Sequence, residues 1–269
     1  MTEEKIPAWC DKDWSDWDEA DWQACVHPIR MMELLLGTHE RVQDLDSFPD
    51  CRFSDRKLRL FASACGRRVL PLLSDPLIHE AVEVAERWAE GEASTEEAER
   101  LHAQIHRIRD PLEGRWRASR GAERAALAPT CEGLSLAGVM LWREPQKAAY
   151  YAPGNAAHTF AGLSNPVDAD YHGVFLPSEA AEERAQANLL RCIFGNPFRP
   201  VAADPRWFTA EVVALARAIY EERAFDRLSA LADALRDAGC DDESMLAHCQ
   251  SEGGHARGCW VVDRVLGKT

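Results

Sequence analysis

SDPLIHEAVEVAERWAEG, residues 74–91, decides the fold because it carries a complete set of start and stop signals for one α-helix. Asp75 stands where a side-chain oxygen caps the free N–H groups of a helix start. Pro76 takes the first helical position, where no N–H is needed, and Gly91 supplies the stop. The same grammar repeats on both sides. Upstream, FSDRKLRLFASACGRRVLPLLSD (residues 53–75) spaces Leu58, Phe61, Cys65 and Val69 by three, four and four, which predicts one buried helix face. Ser54 is its expected cap and Pro71 its expected end or kink. Downstream, STEEAERLHAQIHRIRD (residues 94–110) opens with Ser94 and Glu97 at capping-box spacing and is expected to be interrupted by Pro111.

Regular signals return after residue 177. PSEAAEERAQANLLRCIFGNPF has Ser178 as an expected cap, Glu179, Glu182 and Glu183 on the positive helix start, and Gly195 with Pro197 as its end. A further helix is expected from about Ala210, another before Gly239, and two short ones joined by the turn SEGGHA. Strand alternation is scarce. The expected class is all-α, a multi-helix globular bundle of seven to nine helices, with an irregular insertion near its centre. The regions are 1–110, helical; 111–176, rich in aromatics, Gly and Pro and without clear periodicity; and 177–269, helical, all within one continuous body.

Composition narrows the function classes. The 269 residues are 46% hydrophobic, enough for a sizeable core. Asp and Glu number 45 against 31 Lys and Arg, a net charge of -14, so the surface repels phosphate backbones and nucleic acid is not an expected partner. The arginine-rich stretch RIRDPLEGRWRASR (residues 107–120) is the one basic cluster that qualifies this. No run reaches the roughly 20 apolar residues of a membrane span, and the first residues lack a signal-peptide pattern, so no membrane partner and a cytoplasmic location are expected. Nine cysteines, an odd number, fit reduced thiols rather than a disulfide framework.

The blocks SDRKLRLFASACGRRVLPLL, LLRCIFGNPFRPV and ERAFDRLSALADALRDAGCDDESMLAHC…HARGCWVVDRVLGK occur here in that order. Together they resemble an uncharacterised bacterial family, numerous in planctomycetes, over residues 20–92 and 178–268. The resemblance implies no activity and no catalytic residue. It differs in the middle, where members of that family carry a long helix rich in Ala and Trp.

Three constellations carry chemistry. CDDESMLAHCQSEGGHARGCW (residues 240–260) holds three cysteines and two histidines, and Cys240, His248, His255 and Cys259 form a candidate metal set. His248 and Cys249 are adjacent, so on a helix they diverge by about 100° and cannot face one ion. The competing reading makes the thiols small fillers between helices. Glu99, His102 and His106 project from one side of a helix at the spacing used by metal sites in bundles, or form a solvated polar face. The segment WCDKDWSDWDEADW supplies a tryptophan anchor expected to dock on its own chain.

The central region supplies a further set: Tyr150, Tyr151, His158, Phe160, Asp168, Tyr171 and His172 as candidate pocket residues. G-x-S-x-G, a phosphate-binding glycine loop and H-E-x-x-H are all absent. The expectation is a protein-binding or small-ligand-binding regulatory module, with no cofactor. The alternative is a metal-dependent enzyme or metal-stabilised domain holding zinc or iron at Glu99, His102 and His106 or at the Cys/His segment near the carboxyl end.

Overall fold

The structure, a computed structural model, describes residues 12–37, 53–164 and 177–269. Among these residues it is all α, with twelve α-helices and four short 3-10 turns. None of these helices is long and apolar enough to cross a membrane.

The helix signals act where the sequence places them. Ser54, Asp75 and Ser94 each accept a hydrogen bond from a first-turn N–H, and so start α3 (Asp55–Val69), α4 (Pro76–Ala89) and α5 (Thr95–Ala118). Before them, α1 (Glu19–Ala24) and α2 (Pro28–Leu36) lie against the body, and Trp17 and Trp22 are buried in it. The acidic tryptophan segment therefore docks on its own chain as far as it is described; Trp9 lies outside the described residues.

The middle of the chain corrects the expected irregular insertion. Here α5 runs through Pro111, and it is followed by α6 (Gly121–Met140) and α7 (Pro145–Ser164). Pro111 deprives Arg107 of one hydrogen-bond donor, but both residues are exposed, where water replaces the bond. Helix α7 gives no periodic signal because its neighbours surround it. It packs on α3, α6 and α8, with Ala148, Ala149, Ala152, Ala156, Ala157 and Ala161 buried. A helix lined with alanine on several sides has no apolar stripe to read. Residues 165–176 lie outside the described set.

The first core gathers α1 to α8 around α3, whose Leu58, Phe61, Cys65 and Val69 are all fully buried. Close approach of α3 to α6 requires Gly66: a Cβ there would stand 2.3 Å from Met140 Sδ. The second core is built from α9 (Ala210–Glu222), α10 (Leu228–Asp237), α11 (Glu243–Gln250) and α12 (Trp260–Leu266). Helix α8 (Pro177–Phe194) serves both, giving Leu189, Leu190 and Ile193 to the first and Cys192 to the second.

Charges lock the two cores together. Arg56 on α3 donates to both oxygens of the buried Asp263 on α12, at 2.8 and 3.0 Å, and to Glu90 at 3.0 Å. Lys57 donates to the carbonyls of Ile193 and Gly258, at 2.8 and 2.9 Å. Glu86 receives Arg67 from α3 and Arg223 from the end of α9.

Candidate metal centre

Four side chains from four different places meet where the cores join. Cys192 lies in the last turns of α8, His248 in the last turn of α11, His255 in the following loop, and Cys259 at the N-cap of α12. Their ligand atoms all lie within 4.8 Å of one another. Among the described residues this is the one group of three or more Cys, His, Asp or Glu side chains able to hold a metal ion.

The local fold explains the convergence. Asp242 accepts from Met245 N–H and starts α11, which turns Cys249 into the second core and His248 toward the junction. Adjacent residues on a helix diverge by about 100°, so only one of the two can face the centre. The loop then bends back through Gly258, whose φ of +87° lies in the left-handed region, and a Cβ there would meet Leu60 Cδ1 at 3.1 Å. This turn seats Gly258 against Leu60 of α3 and Ile193 of α8, and places Cys259 beside Cys192.

Two sulfur–nitrogen distances suit a tetrahedron. His248 Nε2 is 3.3 Å from Cys259 Sγ, and Cys192 Sγ is 3.5 Å from His255 Nδ1. With metal–sulfur bonds of about 2.3 Å and metal–nitrogen bonds of about 2.0 Å, a tetrahedral zinc puts its sulfur and nitrogen ligands about 3.5 Å apart. The outer shell is in place as well. His255 Nε2 donates to the Ser251 carbonyl at 3.2 Å, which fixes the ring with Nδ1 toward the centre.

The electrostatics prepare the site for a cation. Burial pushes the Cys259 thiol up, yet hydrogen bonds from Cys192, His248 and His255 outweigh it and hold Cys259 well below the usual thiol range. The Cys192 thiol goes the other way, raised by its hydrogen bond to Cys259 and by burial. Burial would lower His255, but its contact with Cys259 raises it. A thiol and two imidazoles thus converge on one sulfur anion, and an ion with two positive charges can take the place of those protons.

The sequence-derived candidates fare differently. His248, His255 and Cys259 come together. Cys240 is buried in the second core outside the group, and Cys192, 48 residues earlier in the chain, is the fourth donor. Sequence reasoning missed Cys192 because it stands alone in a helix with no paired ligand nearby; the adjacent Gly195 and Pro197 helix stop, which turns the chain there, is the only local signal. His102 and His106 meet, Nε2 to Nε2 at 3.0 Å, but Glu99 turns to Arg143 at 3.7 Å, and among the described residues no third ligand completes a metal-holding group with them.

Tyr150, Tyr151 and Phe160 pack against the first core from α7 rather than from a loop, and His158 faces Glu132 at 3.7 Å. Asp168, Tyr171 and His172 lie outside the described residues.

Comparison with protein-family models, with curated proteins and with solved structures gave no match.

Proposed function

We propose that the protein is a metal-stabilised helical binding module, in which one zinc ion held by Cys192, His248, His255 and Cys259 fixes the second core to the first. One observation carries this reading: four donors from positions 192 to 259 converge within 4.8 Å. A two-sulfur, two-nitrogen tetrahedron suits zinc, and four protein ligands leave no open position for a substrate, which makes the ion structural rather than catalytic. Two thiolates also cancel its two positive charges, so the site adds no net charge to the buried junction.

Elemental analysis tests it. Protein purified without chelator should carry one zinc per chain, Cys192→Ser should lose it, and Cys240→Ser should keep it. Metal-free wild type that takes up no added zinc, or a Cys192→Ser variant that retains a full equivalent, overturns the reading.

A further inference from the structure

A cleft of about 660 Å³ opens beside the metal centre, between α8, the segment 195–201, α11 and α12. Its size is that of a small-molecule site. Phe53 and Trp260 contribute apolar faces to it, and Gly195 lets the backbone lie flat on the Trp260 ring, its Cβ position only 3.4 Å from Cγ. What distinguishes the cleft is its charge. In a chain with 14 more acids than bases, the lining holds Arg191, Arg199 and Arg264 against one acid, Glu19.

Among the described residues no carboxylate neutralises these arginines. Arg191 donates to the carbonyls of Trp22 and Gln23, at 2.6 and 2.9 Å, and to that of Cys25, so backbone oxygens rather than a carboxylate hold it. Arg264 reaches the Val201 carbonyl at 3.5 Å and is otherwise exposed. Arg199 is exposed, and its guanidinium pairs with no other described residue. Glu19 is drawn aside by Asn196, which donates to it at 2.8 Å. Guanidinium groups with open N–H positions in a cleft partly lined by aromatic side chains select a molecule with an apolar body and a negative head.

We infer that this cleft binds a small organic anion, an aromatic body bearing a carboxylate or phosphate, with the body against the Phe53 and Trp260 side chains that line it and the head at Arg199 and Arg264. The inference rests on the metal reading only in that the ion holds the α11 wall of the cleft.

Calorimetric titration of the full-length protein at low salt tests it, with phenyl phosphate and benzoate as probes and benzyl alcohol as the neutral counterpart. Zinc is assayed separately in every sample. At least one aryl anion should bind saturably, and the stronger of the two assigns the head group. The Arg199→Ala/Arg264→Ala double variant, with unchanged zinc content and unfolding temperature, should bind about tenfold more weakly or worse, as should benzyl alcohol to the wild type. Equal binding of benzyl alcohol, unchanged binding by the double variant, or no saturable binding by either anion overturns it. Failure of the metal reading would register instead in the zinc assay.

Discussion

Arg56 grips Asp263 with two parallel hydrogen bonds, at 2.8 and 3.0 Å, across 207 residues of chain. Asp263 is almost completely buried and also receives Lys57 at 2.9 Å, so two cations of α3 bracket one carboxylate of α12. Removing one member of such a group strands the others without a partner. Asp263→Ala should therefore cost about 3–5 kcal/mol of folding stability, read from urea unfolding. A loss below about 1 kcal/mol would mean that the two cores stay docked without this carboxylate.

Glu132 supplies a pH test. Burial pushes its carboxyl from 4.5 up to about 7, and its Oε2 makes no hydrogen bond. The folded protein thus keeps this proton up to about pH 7, whereas the unfolded chain releases it near 4.5. Folding takes up a proton in that window, and the stability contributed by Glu132 falls as pH rises through it. Glu132→Gln should raise stability at pH 8 by about 1–3 kcal/mol and change it little at pH 4.5. Thermal unfolding at the two pH values checks the difference; an equal effect at both would refute it.

Gly258 is predicted to be intolerant of any side chain. Its φ of +87° and its contact with Leu60 mean that Ala must both adopt a left-handed conformation and push into the first core. Gly258→Ala should cost about 1–3 kcal/mol and lower zinc occupancy as well, since the turn sets the position of Cys259. Gly239, also at positive φ (+87°) but with open space around it, should show only the backbone part of that cost when changed to Ala and should keep its zinc.

Chelation should act through the same four residues. If zinc binds only the folded chain, free metal at about a thousandfold excess over its Kd contributes about 4 kcal/mol. A strong chelator should lower the unfolding temperature of the wild type and leave that of a Cys192→Ser/Cys259→Ser variant unmoved. A shift of equal size in both proteins would place the chelator's effect elsewhere.

Much of the helical architecture could be read from the sequence because its signals are local. Ser54, Asp75 and Ser94 cap helices whatever those helices later touch. The centre of the chain was illegible for the opposite reason. Helices α6 and α7 are held by neighbours on several sides, so alanine and glycine replace the apolar stripe, and Pro129 and Pro153 stand inside them. The candidate metal centre was legible in its close-spaced part, from His248 to Cys259. Cys192 was not, since only the folding of α8 against α12 and the loop before it brings its sulfur to the other three.

Helix α8 has a practical implication for anyone dividing this gene. Its leucines are cemented into one half of the molecule while its cysteine reaches into the other. A fragment begun after Phe194 would inherit three donors of a four-cornered cage and a flank shorn of its covering. The carboxyl half can be transplanted only with the helix that starts at Pro177, as a unit whose seam is carried inside it.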